Sequence, residues 1–419
     1  MSYLKDYIYY SSGNETPEEY LIWGGLSILG HILGRKVNVA HGGYFNFYPN
    51  IMVCLVGEAG SGKNTALGVN MDIMHEHFPT HLVSASIQSR EDITYQMADD
   101  VTCLRTYKDE LGMVQDFRPF YILNNELASF LSVDRMKMVE FLTDVYDGKR
   151  FGTGFKKDRI ENPDRKQWFR NPHLSLIAGA VPSWFMNSLK MDLFSGGLGR
   201  RLIIVNAVRS KVIPFPTKPH GADAALSRVI EHLKKAEKFT GTICLGGDAL
   251  PWWENWYRQH RKESPTDPII YQFHQTMSMQ VLKIALLLYC TESLEPGHIT
   301  ADHLEAADQL FKNLLPSISR LTSGIGRNEL AGVGAQIIDF LERTGGMASE
   351  VQIKKFFHRY AKTPEFLELE NHYVQTGQMY VFGFTDKQGV NRKYYATPEG
   401  YKAFYDLKAN AVKESEVAP

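Results

Sequence analysis

Ile51-Met-Val-Cys-Leu-Val56-Gly57-Glu58-Ala59-Gly60-Ser61-Gly62-Lys63-Asn64-Thr65 reads as a buried strand that runs into a glycine-rich turn ending in lysine, and Ala66-Leu-Gly-Val-Asn70 continues it as a helix. That order is the context a phosphate-binding loop needs. Gly57, Gly60 and Gly62 can take backbone angles closed to other residues, so consecutive N–H groups turn inward as a concave anion site. The helix start adds the positive end of its dipole, and Lys63 a mobile charge for the outer phosphates. All nine residues from Gly57 to Thr65 therefore become candidates for holding a nucleoside triphosphate, with ATP and Mg2+ as the expected cofactors. The pattern calls for Ser or Thr directly after the lysine. Asn64 stands there instead, with Thr65 next, so the Mg2+ contacts expected from Asn64 and Thr65 rest on an amide oxygen and a displaced hydroxyl.

Apolar strand-like segments recur along the chain: Ile51–Val56, His81–Ala85, Phe120–Leu123, Leu174–Ala178 and Leu202–Ala207, alternating with helical stretches. This alternation predicts an α/β fold, a parallel sheet covered on both faces. At the carboxyl end of the third segment, Phe120-Tyr-Ile-Leu-Asn-Asn125-Glu126 delivers polar side chains to the edge where such a sheet binds ligands. Glu126 suits the carboxylate that polarises an attacking water, and Asn125 stands where a magnesium-associated aspartate would be. Arg200 and Arg201 precede the last strand. Arginines at such a turn either reach the triphosphate of a neighbouring subunit or form a surface ion pair. Asp147 to Lys157 is a basic, glycine-punctuated loop that predicts a hairpin. Lys149, Arg150, Lys156 and Lys157 are its candidates for nucleic-acid phosphate contacts, the alternative being a solvated surface hairpin.

The length of 419 residues allows roughly two to four structural units. A net charge of -1 excludes a non-specific nucleic-acid coat and leaves room only for a local basic patch. Cys54, Cys103, Cys244 and Cys290 show no CxxC spacing, so neither a zinc site nor a disulfide framework is expected. The longest apolar run, Ile284–Cys290, is too short to span a bilayer, and a cytoplasmic location is expected. The composition divides the chain into an N-terminal helical region (1–45), the nucleotide-binding core (46–215), a helical domain (216–328), a C-terminal module (329–408) and a tail (409–419). In the helical domain Trp252, Trp253 and Trp256 recur at helical spacing, the mark of an apolar face. In the C-terminal module three short helices, 336–341, 351–357 and 364–373, precede a hairpin of 379–384 and 392–396, which reads as a winged helix.

Taken together, GEAGSGKNTAL, FYILNNEL, YDGKRFGTGFKK followed by NPHLSLIAGAVPSWF, and FSGGLGRRLIIV resemble a P-loop ATPase family of phage and mobile-element replication proteins, akin to the minichromosome-maintenance type of AAA+ helicase. The resemblance runs from the N-terminal helices through the winged helix. It implies that Lys63 binds phosphates, that Glu126 activates water, and that Arg201 is the trans-acting finger of a ring, with Arg200 beside it. It also implies that the basic hairpin points into a central channel. The implied protein is a homo-oligomeric ring, a hexamer, that binds single-stranded DNA and meets a replication partner through the winged helix. A polar residue usually ends the fourth strand of such proteins; Ala178-Gly-Ala-Val181 provides none. The function expected is an ATP-dependent DNA helicase or translocase. The alternative is a nucleotide-dependent assembly or loader ATPase that binds DNA or a protein without unwinding.

Overall fold

Two helices, α1 (Tyr3–Ser11) and α2 (Glu18–Leu33), precede the first strand. Every residue of α2 from Trp23 to Leu33 is buried, which makes it an interior helix rather than an amphipathic surface one. Gly30 lets the chain come that close: a Cβ there would stand 2.3 Å from the Pro49 carbonyl oxygen. The structure, a computed structural model, describes residues 3–84, 88–132, 135–152, 168–188, 197–209, 211–266, 268–322, 329–357, 363–385 and 391–406. They fall into two compact units, residues 1–319 and 320–419. Among the described residues no helix is long and apolar enough to cross a membrane.

A hairpin of β1 (Val37–His41) and β2 (Phe45–Phe47) leads into β3 (Met52–Val56), whose five residues are all buried. The glycine loop follows, then α3 (Lys63–His77) and α4 (Arg90–Ala98). Next come β4 (Arg105–Lys108), β5 (Val114–Asn124), α5 (Leu127–Phe130) and α6 (Arg135–Tyr146). A short pair, β6 (Phe151–Gly152) and β7 (Trp168–Phe169), precedes β8 (Pro172–Ala180), α7 (Pro182–Ser188) and β9 (Leu202–Asn206). The main sheet has the order β4-β5-β8-β3-β9. Its last four strands are parallel and β4 is antiparallel, so the expected α/β architecture is present. Val83, within the strand expected over 81–85, adds a single parallel bridge to Tyr121 on the outer side of β5; Ala85 lies outside the described residues. Pairing of Val56 with both Ala180 and Asn206, and of Asn124 with Ala178, brings the carboxyl ends of β3, β5, β8 and β9 to one edge.

The chain continues through α8 (Ala222–Lys238), β10 (Gly241–Leu245), α9 (Ala249–His260), α10 (Pro268–Glu292), β11 (His298–Ile299) and α11 (Ala301–Thr322). Here the structure departs from the sequence reading of two separate helical regions, 1–45 and 216–328. β10 pairs parallel with β1, Val37 opposite Gly241, giving a second sheet of order β11-β10-β1-β2. α1 and α2 also pack against α8, where Arg228 clamps the buried Asp6 carboxylate through Nε (3.0 Å) and Nη2 (2.5 Å). Strands of two to five residues are too short for alternation to register as a pattern, which is why this sheet is hidden in the sequence.

The second unit contains α12 (Glu329–Arg343), β12 (Met347–Ser349), α13 (Glu350–Phe357), α14 (Thr363–Gln375), β13 (Tyr380–Thr385) and β14 (Asn391–Ala396). The strands form an antiparallel sheet of order β12-β14-β13. Ile337, Leu341, Ile353, Phe357, Phe366, Leu369 and Tyr395 make its core. Residues 398–406 are helical and lay Tyr401, Phe404 and Tyr405 against Phe382 on the other face of the sheet.

A partly buried polar chain ties segments of the first unit together. Glu237 can only accept, so His81 Nε2–H donates to it (3.1 Å), and the other nitrogen of His81, Nδ1, is hydrogen-bonded with His31 Nε2 (3.0 Å). The His31 ring stacks on Tyr121 of β5 at 4.7 Å. His173, on β8, donates Nε2–H to the Gly30 carbonyl at 2.9 Å. Burial holds His31 well below its ordinary pKa and pushes His173 down to about 3. The unfolded chain takes up protons on both near pH ~6.5, whereas the native state does not. Stability is therefore fully present above that pH and falls as pH drops toward the native values, by up to about 1.4 kcal/mol per pH unit for each histidine. All six tryptophans lie within residues 1–319, so tryptophan fluorescence follows this unit alone. Its urea midpoint should drop steadily between about pH 6.5 and pH 5, with a shallower slope in His173→Gln. A flat profile would refute the neutral-histidine assignment.

Candidate phosphate-binding cleft

The strand-to-loop junction is pinned before the loop begins. Gly57 N–H donates to the Ala180 carbonyl (3.1 Å), and the buried Tyr20 hydroxyl donates to the Val56 carbonyl (2.6 Å) and lies 3.1 Å from that of Ala207. A Cβ on Gly57 would stand 2.5 Å from both Tyr20 Oη and Ser61 Oγ, so only glycine fits. Gly60 and Gly62 have φ of 79° and 92°, and Gly62 caps α3 with no side chain covering the first-turn N–H groups. Those donors, left over at every helix start, are available to an anion. Lys63 Nζ is held by the carbonyls of Gly57 and Glu58, the latter at 2.9 Å, and lies 3.3 Å from Ser61 Oγ. Burial lowers its pKa, opposed by the charges of Glu58 and Glu126.

The end of β5 is shaped by an asparagine turn. Asn124 is buried and its Oδ1 accepts the Glu126 N–H at 2.9 Å, which sets Glu126 in an extended conformation at the start of α5. Asn125 and Glu126 are exposed. Ala59 to Thr65, Asn125, Glu126, Ala180 and Val181 line one cleft of about 720 Å³, within the range of small-molecule sites. The sequence-predicted loop and acid therefore meet, and the end of β8 contributes only apolar side chains, as read. The rest of the lining, Asn14, Glu15, Thr16, Arg209, Ile213, Pro214 and Pro216, carries no binding motif in the sequence. The Pro214-Phe-Pro216 stretch is the one local signal, since it forbids regular structure after β9. A second cavity, between β9, α10 and α11, is apolar and holds about 30 Å³, room for a single water.

Arg201 is tethered within its own chain. Its Nε and Nη2 clamp Asp147 at 2.8 and 2.6 Å, and Nη1 donates to the Gly197 carbonyl at 2.7 Å. Arg200 is exposed, and its carbonyl accepts Thr276 Oγ1 of α10 at 2.7 Å. Neither arginine lines the cleft of its own chain. In the basic segment Lys149 pairs with Asp144 at 2.7 Å and Arg150 lies over the Trp168 ring at 4.3 Å. Phe151 pairs with Phe169, so the hairpin arms lie farther apart in sequence than the expected 147–157 loop. Lys156 and Lys157 lie outside the described residues.

Cys54 is buried, as expected of a core residue. Trp253 is buried too, but Trp252 and Trp256 are only half-buried; Trp256 stacks with both of the others in a ladder that continues to His260 and His274. His260, Glu263 and His274 bring ligand-type atoms within 4.8 Å of one another. The two imidazoles are stacked at 3.7 Å and 20°, however, so their in-plane lone pairs run nearly parallel instead of converging on one ion. His260 Nε2 is also spent on the His274 carbonyl at 2.8 Å.

No protein-family model matches the chain, and a comparison with curated proteins also finds no match.

The Arg201–Asp147 clamp is mostly buried, with Arg201 14% and Asp147 30% exposed. Asp147→Ala should therefore lower the stability of the first unit by about 1–3 kcal/mol, because two charge-assisted hydrogen bonds are lost and the guanidinium is left without its anion. Urea unfolding followed by tryptophan fluorescence measures this; an unchanged midpoint would mean that the clamp contributes nothing.

Proposed function

We propose that this chain is a P-loop ATPase of the AAA+ kind, binding ATP in the cleft at the carboxyl ends of β3, β5 and β8 and working as a homo-oligomeric ring that moves along DNA. The observation that carries the reading is the convergence of the uncapped α3 start, Lys63 and Glu126 on one cleft. The strand order supports it. With β8 lying between β3 and β5, the loop and the acid are two strand spacings apart, about 10 Å, which is room for a phosphoryl group and an attacking water.

In this mechanism the N–H groups of the loop and of α3 cradle the phosphates, and the ammonium of Lys63 leaves the carbonyls of Gly57 and Glu58 for the outer oxygens. Glu126 orients the water and accepts its proton. Asn64, Thr65 and Asn125 offer neutral oxygens for Mg2+, whose role when bound is to neutralise charge on the β- and γ-phosphates. A neighbouring subunit completes the site with an arginine. Arg200, exposed, is better placed for that role than Arg201, which anchors the turn to Asp147.

The second unit fits a winged helix in the order of its elements, with β13 and β14 as the wing. Its third helix, α14, contains neither Lys nor Arg. Glu370 turns inward to Lys393 (2.5 Å) and the Tyr395 hydroxyl (2.8 Å), while Leu367, Glu368, Asn371 and His372 face out. Such a face offers the phosphates of a duplex groove no cation, so this unit reads as a contact for a protein partner. The second functional reading, a loader or assembly ATPase that does not unwind, is favoured by the neutral Asn64 and Asn125 and by the apolar end of β8.

Lys63→Ala should abolish DNA-stimulated ATP hydrolysis. Glu126→Gln should retain ATP binding but hydrolyse at least about a hundredfold more slowly. Undiminished hydrolysis in Lys63→Ala would remove the central assignment, and ATP-dependent assembly without strand displacement by the wild type would favour the loader.

A further inference from the structure

Arg209, just beyond β9, donates Nη2–H to the Gly60 carbonyl and pairs through Nη1 with the Glu15 carboxylate. It thereby touches the middle of the glycine loop from the segment that follows β9. The two partners differ in freedom. Glu15 is 20% exposed and also accepts the Ile213 N–H at 2.7 Å, on a segment fixed by the Asn14 turn (Thr16 N–H to Asn14 Oδ1, 2.8 Å) and by Thr217 N–H to the Gly13 carbonyl (3.1 Å). Arg209 is 44% exposed, and its contact with the loop is a neutral carbonyl.

We propose that Arg209 binds the outer phosphates of the nucleotide in cis, and that Glu15 parks its guanidinium beside the loop until the phosphates compete for it. This rests on the reading of the cleft as a triphosphate site. Gly60 belongs to the same loop as Lys63, three residues ahead of the lysine that reaches the outer phosphates in a loop of this kind. A guanidinium already hydrogen-bonded there needs only side-chain rotation to exchange a carbonyl for a phosphate oxygen. The charged acceptor makes a bond roughly twice as strong, and the planar fork can grip two oxygens at once. The same step explains the charge balance of the cleft. Where Asn64 and Asn125 offer Mg2+ only neutral oxygens, Arg209 adds a second cation of the chain to Lys63. Phosphate charge is then neutralised largely by the protein, and triphosphate binding depends less on the metal.

The competing account makes the Glu15–Arg209 pair a staple that only joins the two segments of the wall. Titration of a fluorescent ATP analogue and of AMP, each with Mg2+ and with EDTA, separates them. Arg209→Ala and Arg209→Gln should weaken ATP at least about tenfold and leave AMP within about twofold, with the larger loss in EDTA. Arg209→Lys should fall between. Glu15→Gln should bind ATP as tightly as the wild type or more so, and Glu15→Gln combined with Arg209→Ala should bind no better than Arg209→Ala. Equal losses for ATP and AMP, equal losses in Glu15→Gln and Arg209→Ala, or wild-type affinity in Arg209→Gln would each overturn the proposal. Lys63→Ala in the same titration keeps the two claims apart: if it loses ATP while Arg209→Ala does not, only the role of Arg209 fails, and if it too binds normally, the cleft is not a triphosphate site.

Discussion

Strands that end together at the edge of a parallel sheet leave carbonyls and N–H groups with no further partners, and these must be satisfied without consuming the donors a ligand needs. In residues 1–319 the junction of Val56 and Gly57 meets this requirement through neighbours rather than through the loop. Ala180 takes the Gly57 N–H, and Tyr20, from an interior helix, covers the carbonyls of Val56 and Ala207. The loop then starts from a rigid base. Gly60 and Gly62 turn the loop with positive φ, and no side chain caps the start of α3.

The same economy explains the position of α2. Because Tyr20 and Gly30 sit on this helix, it must lie close against β3 and β8, and it is buried accordingly. The polar chain from Glu237 through His81 to His31, and the stack of His31 on Tyr121, carry the contact on to β5, the strand that ends at Asn124 and presents Glu126. The helices of the N-terminal region and those that follow β9 are thus parts of the support of the cleft. The sheet shared by β1 and β10 has the same effect on covalently distant segments.

Much of this architecture was legible in the chain. β3, β8 and β9 are apolar runs bounded by glycine or polar turns, and α13, α14, β13 and β14 of the second unit lie within two residues of their expected bounds, while α12 begins well before the expected 336–341. Less visible were β4, β10, β11 and β12, each of two to five residues, whose pairing is decided by partners far away in sequence. The loop, Lys63 and Glu126 carried their own signals. Glu15 and Arg209 did not, because a lone acid before a helix and a lone arginine after a strand look like any solvated charges until the fold sets them face to face.

The sequence by itself determined the class of fold and the chemistry of the cleft floor, since glycine φ angles, helix-start donors and a lysine are local properties that act wherever the chain places them. It also determined the neutral character of positions 64 and 125. Only the tertiary structure decided which charges are spent and which remain available. Arg201 is spent on Asp147, Glu370 on Lys393, and Glu15 on an arginine far along the chain, while Arg200 and Glu126 stay exposed. The reason is physical: an ion pair forms between groups that are close in space, and that distance is set by the packing of distant segments.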